Sequence, residues 1–219
     1  MTRSEAPPRY IVVDGPIGVG KTTLARRLAE SLQAELVLEQ AAQNPFLERF
    51  YRDPANAALS AQLFFLLERA RCAQSLRQSD LFQPVRVVDF MLAKDRLFAE
   101  LTLDGHELRL YEQIYAGLAL DAPAPDLVIY LQAPVDVLLE RIVRRGVAYE
   151  QAIGRPYLAR LVDAYARYFH YYDDGPLLIV NAATVDLAGD EACYEELLRR
   201  VLASRRGRQY YNPGELNKL

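Results

Sequence analysis

At 219 residues the chain fits one large domain, taking about 150 residues per domain. Hydrophobic residues at 51% and charged residues at 25% exclude intrinsic disorder. The net charge of −3 and pI of about 5.5 exclude the basic footprint of a nucleic-acid binder. With His106 and His170 as its two histidines, the chain has little for a zinc cluster or a His-based triad.

Met1–Arg9, with Pro7-Pro8, is expected to be a loose tail ahead of a domain over 10–203. Five short apolar runs follow: Tyr10–Asp14, Glu35–Leu38, Val85–Asp89, Leu127–Leu131 and Leu177–Val180. Each is rich in Val, Ile and Leu and lacks clean alternation, as strands covered on both faces of a parallel sheet do. Stretches of helical period lie between them; Leu24, Leu28 and Leu32 recur every fourth residue. Asn44-Pro45 and Asp53-Pro54 read as N-caps with proline at the first helical position. Strand–helix alternation predicts a three-layer α/β domain with right-handed crossovers. No apolar run approaches the ~18 residues of a membrane span, so no membrane partner is expected. Cys72 and Cys193, each alone, suit a reducing cytoplasm. Residues 204–219 are expected to be a C-terminal tail. Its Arg205, Arg206 and Arg208 either complement the last helix's negative end or bind phosphate.

Gly15-Pro16-Ile17-Gly18-Val19-Gly20-Lys21-Thr22 matches G-x-x-x-x-G-K-[ST] between a predicted strand and a predicted helix, the context that motif requires. Glycines let successive N–H groups turn inward onto phosphate oxygens. Lys21 adds a positive charge for the β- and γ-phosphates, Thr22 a hydroxyl ligand for Mg²⁺. The helix behind, with Thr23 in its first turn, contributes its positive end. A nucleoside triphosphate site is expected here.

Other residues are candidates for acceptor chemistry. Glu39, directly after the second strand, faces the crevice at the strand ends, where a carboxylate can take a proton from a hydroxyl. Its uncharged neighbours Leu38 and Gln40 favour an acceptor without phosphate. Gln62 and Arg69 lie seven residues apart on one face of a long helix, a pair suited to a base edge or to solvent. Phe64 and Phe65 beside them read as core. Asp89 ends the third strand where an acid that organises Mg²⁺ belongs. Lys94-Asp95-Arg96 follows it. Arg141, Arg144 and Arg145, then Gly146 and Glu150, read as a helix ending at glycine before a short polar lid, or as a charged helix face.

Taken in order, these motifs resemble the deoxynucleoside kinase family over about Tyr10–Asn181. The resemblance implies strand order 2-3-1-4-5, a homodimer, ATP and Mg²⁺. It implies Glu39 as general base for the 5′-hydroxyl, and Tyr51 with Glu150 holding the sugar 3′-hydroxyl. It assigns Gln62, Arg69 and Asp95 to the base, with Arg69 orienting Asp95, and Arg141 and Arg145 to the lid. The adenine-holding loop falls on Asn181–Leu187, with Asp186 in it. One departure stands out: most members carry Glu/Asp-Arg-Ser after the third strand, and this chain reads Asp89-Phe90-Met91. Lys94 or Arg96 is expected to supply the missing charge. The expected activity is phosphoryl transfer from ATP to a deoxynucleoside, deoxyadenosine favoured over deoxycytidine and deoxyguanosine. A thymidylate-type monophosphate kinase and a nucleotide-binding subunit without turnover are the alternatives.

Overall fold

The computed structural model describes residues 7–77, 85–92, 94–118, 123–184 and 189–213. Its centre is a six-stranded, all-parallel sheet in the order β2-β3-β1-β4-β5-β6. The strands are β1 (Tyr10–Asp14), β2 (Glu35–Val37), β3 (Arg86–Val88), β4 (Leu127–Gln132), β5 (Leu177–Asn181) and β6 (Arg208–Tyr211). In β1, β4 and β5 nearly every residue is buried. Side chains alternate between faces along a strand, so helices cover both.

The helices are α1 (Lys21–Leu32), α2 (Leu47–Arg52), α3 (Ala58–Arg77), α4 (Lys94–Thr102), α5 (Gly105–Gly117), α6 (Val135–Arg145), α7 (Arg155–Tyr171) and α8 (Glu191–Ala203). Leu24 and Leu28 of α1 are buried in the main core with Ile11, Val13, Ile129 and Leu131. From α6 and α7, Leu138, Leu158, Tyr165 and Phe169 join them. α3 packs against α4 and α5, and α4 against α7.

The sheet corrects the expectation of five strands. Arg208–Tyr211, read as part of a tail, runs parallel to β5 with Val180 opposite Tyr211. α8 supplies the crossover. Arg208 does not complement α8; its guanidinium donates to the carbonyls of Phe169, His170 and Tyr172 at the end of α7. The two proline signals also act differently from expectation. Asn44 Oδ1 accepts from the Phe46 amide at 3.0 Å, and the helix opens only at Leu47. Asp53-Pro54 opens a three-residue 3₁₀ turn. Gly146, at φ +68°, ends α6 as read from sequence. No described helix is long and apolar enough to cross a membrane.

Candidate active site

The site forms at the carboxyl ends of the strands. β1 ends in Asp14, and the chain turns through Gly15–Gly20 into α1. Gly18 sits at φ +85°, and a Cβ there would stand 2.9 Å from the Leu138 carbonyl oxygen. Glycine is required by both conformation and space. Lys21 Nζ donates to the carbonyls of Gly15 (2.9 Å) and Pro16 (3.2 Å), so it lies over the loop. Burial, and then the charge of Lys94, lowers its pKa to about 8.

The Thr22 hydroxyl donates to Asp89 Oδ2 at 2.6 Å. Asp89 Oδ1 accepts the backbone N–H of Glu39 at 2.7 Å. One carboxylate thus ties the phosphate loop to the segment after β2. Thr22 and Asp89 present hard oxygens side by side, the donor set Mg²⁺ takes alongside phosphate oxygens.

Glu39 lies between two cations. Lys94 Nζ, at the first residue of α4, is 3.1 Å from its Oε2, and Arg69 pairs with its Oε1. Burial alone would raise the Glu39 pKa, but Lys94 and Arg69 outweigh it and hold the value down to about 2. Lys94 is buried, and 3.9 Å from Asp14. Arg96 is exposed and pairs with Glu100 and Glu112 instead. Of the two cations expected to answer for Phe90, only Lys94 reaches Glu39.

A second guanidinium nitrogen of Arg69 binds Asp95, so this arginine joins two carboxylates. Asp95 is fully buried, and its Oδ2 accepts from the Tyr111 hydroxyl at 2.7 Å. A pocket opens beside this network, lined by Lys21, Thr22, Glu39, Gln62, Arg69 and Asp89 among others. Phe65 also lines it, 5.1 Å beneath the Arg69 guanidinium. Tyr51, Tyr149, Glu150 and Tyr157 form a further part of its wall. Tyr51 and Tyr149 stack nearly parallel, ring centroids 6.4 Å apart. Arg145 lines the same pocket and pairs with the buried Glu150, which holds the 3₁₀ turn Ala148–Ala152 over it. Arg141 donates to the Val19 carbonyl at 3.3 Å and the Ala182 carbonyl at 2.7 Å, bridging the phosphate loop to the end of β5. Asp186 lies outside the described residues.

Sequence reasoning passed over Asp14. It is fully buried and accepts from the Gly15 amide (2.7 Å), the Met91 amide (3.0 Å) and the Tyr165 hydroxyl (3.0 Å). Its signal was an acid closing an apolar strand directly before the glycine loop. Tyr111, Tyr149 and Tyr157 gave none, since nothing in sequence separates them from core tyrosines.

The sequence model of the deoxynucleoside kinase family matches residues 11–204. The chain belongs to the deoxynucleoside kinase family. Within this kinase family it is 37% identical over 160 residues to a deoxyguanosine kinase of Bacillus subtilis, covering 71% of this chain and 76% of that one. It is 28% identical over 208 residues to a deoxyadenosine kinase of Lactobacillus acidophilus, covering 88% and 94%. Its fold is that of the M. mycoides deoxyadenosine kinase solved with dCMP and a flexible dCDP. The TM-score is 0.76 at 24% identity, over 87% of this kinase and 97% of the other. The kinase is a phosphotransferase with a parallel α/β fold.

Proposed function

We propose that the kinase transfers the γ-phosphoryl group of ATP to the 5′-hydroxyl of a deoxyribonucleoside, with deoxyadenosine favoured over deoxycytidine and deoxyguanosine. The observation that carries this reading is the position of Glu39. Its carboxylate lines the pocket with Lys21 and Thr22 of the phosphate loop on one hand and Gln62 and Arg69 on the other. A carboxylate there can accept the proton of an alcohol.

In this mechanism, the backbone N–H groups of the Gly15–Thr22 loop, Pro16 excepted, and the start of α1 at Thr23 receive the triphosphate. Tyr51 and Glu150 hold the sugar 3′-hydroxyl; Gln62, Arg69 and Asp95 set the base. Glu39 accepts the 5′-hydroxyl proton as that oxygen bonds to the γ-phosphorus and the β–γ bridging bond breaks. Lys21, Arg141 and Arg145 neutralise charge on the phosphates as it spreads. Thr22 and Asp89 would hold Mg²⁺, which supplies charge neutralisation at the β- and γ-oxygens. Lys94 positions Glu39 in place of the arginine that Phe90 displaces. A homodimer completes this reading, and sedimentation or light scattering tests it.

A panel of deoxynucleosides and their monophosphates, each offered with ATP and Mg²⁺, tests the activity. Transfer to deoxynucleosides is expected. Turnover confined to the monophosphates would make this a thymidylate-type enzyme. ATP binding with no transfer to any acceptor would make it a nucleotide-binding subunit.

A further inference from the structure

Gln62, on α3, is 3% exposed, yet it lines the acceptor pocket. Its Nε2 lies 3.3 Å from the hydroxyl of Thr102, the last residue of α4. That hydroxyl gives its own proton to the Phe98 carbonyl at 2.7 Å, the shorter of the two contacts. An oxygen that has given its proton away can only accept. Gln62 must therefore turn its NH₂ toward Thr102, since the reversed amide would set two acceptors against each other. Gln62 Oε1 is left buried without a partner.

The neighbouring groups are committed elsewhere. Asp95 is held by Arg69 and Tyr111. Arg69 spends its two terminal nitrogens on Asp95 and Glu39, and its buried Nε has no partner. Among the described residues, the atoms without a partner on this side of the pocket are one acceptor, Gln62 Oε1, and one donor, Arg69 Nε–H, and the second hydrogen of Gln62 Nε2 adds a donor beside Oε1. A buried group left unmet when a ligand binds is penalised, so the ligand must answer each.

We propose that Thr102 fixes the direction of the Gln62 amide, and that the pocket thereby demands an amino group on the nucleoside base and refuses an oxo group at the same place. An exocyclic amino group beside a ring nitrogen, as in adenine and cytosine, offers donor and acceptor in the required order. The 6-oxo and 4-oxo bases offer them reversed, and with the sugar held the base cannot turn over to compensate. Thr102 is a positioning residue that acts through Gln62. The inference rests on the assignment of this pocket to the nucleoside.

The test compares matched pairs, deoxyadenosine with deoxyinosine and deoxycytidine with deoxyuridine. It reads both kcat/KM with ATP and nucleoside affinity by calorimetry. The wild-type enzyme is expected to favour the amino member of each pair by ~10-fold or more. Thr102→Val frees the amide and should reduce that ratio several-fold, with Thr102→Ala as the smaller replacement if valine prevents folding. Thr102→Ser keeps the hydroxyl and should keep the ratio. An unchanged ratio in both folded variants that lack the hydroxyl overturns the proposal, as does a wild-type preference for the oxo members. Selective binding of the amino nucleosides with no phosphoryl transfer would remove the activity proposed above and leave this inference standing.

Discussion

Lys94 Nζ stands 3.1 Å from Glu39 Oε2, and the side chain two residues further along the same helix, Arg96, reaches outward to Glu100 and Glu112. About half a turn of α4 thus separates a cation built into the site from one spent at the surface. Lys94→Met is expected to lower kcat by ~10²-fold, the scale of removing one fixed electrostatic group. Lys94→Arg should recover part of it. Arg96→Ala should stay within about twofold, because exposed ion pairs contribute about 0–1 kcal/mol. Steady-state kinetics on the three variants decides; equal losses at 94 and 96 would refute the distinction.

Glu39→Gln keeps the shape of the side chain and removes its basicity. Turnover should fall by ~10²–10⁴-fold, while ATP affinity stays near wild type by calorimetry. The same substitution has a stability signature with a definite sign. The Glu39 pKa is about 2, below the ordinary 4.5, so its ionised form stabilises the fold above about pH 4.5. That contribution fades as pH falls toward 2. The stability advantage of wild type over Glu39→Gln, from urea unfolding, should therefore be full at neutral pH and shrink on acidification.

Lys21 should report nucleotide binding as a proton. Burial and the charge of Lys94 lower its pKa to about 8 in the free enzyme, and a triphosphate beside it favours the ammonium again. ATP binding near pH 8 is then coupled to proton uptake, and affinity falls as pH rises through 8. Calorimetry in two buffers of different ionisation enthalpy measures the uptake. Lys94→Met should diminish it.

The sixth strand makes a prediction that a tail would not. Tyr211 is 3% exposed, and its hydroxyl donates to the Cys193 carbonyl at 3.1 Å. Tyr211→Ala should cost about 3 kcal/mol or more, a melting temperature lower by about 6 °C or more for a chain of this size. Tyr210→Ala, on a side chain 65% exposed, should change little.

What sequence could and could not disclose follows from how each feature is encoded. The four inner strands were legible because burial on both faces writes an unbroken apolar run, as in Leu127–Leu131, and the edge strand β2 through its short run Leu36-Val37-Leu38. β6 was not, because an edge strand that buries little beyond Tyr211 needs no such run, and Arg208-Gln209 reads as solvent. The phosphate loop declared itself through glycine spacing that backbone geometry imposes. Glu39, Gln62 and Arg69 were placed by their offsets along the chain. Their alliances were hidden: Arg69 joining Glu39 to Asp95, and Thr102 turning Gln62, are contacts across 26 to 40 residues. Lys94 and Arg96 looked equivalent in sequence, and only the phase of α4 separates them.

Asp14 clamps Gly15, Met91 and Tyr165 with one carboxylate. Lys94, 3.9 Å from that carboxylate and 3.1 Å from Glu39, carries the connection on to Arg69 and Asp95. The loop end and the far wall of the pocket thus share one web of charges, and a substitution at Glu39, Arg69 or Lys94 is not confined to either end of it.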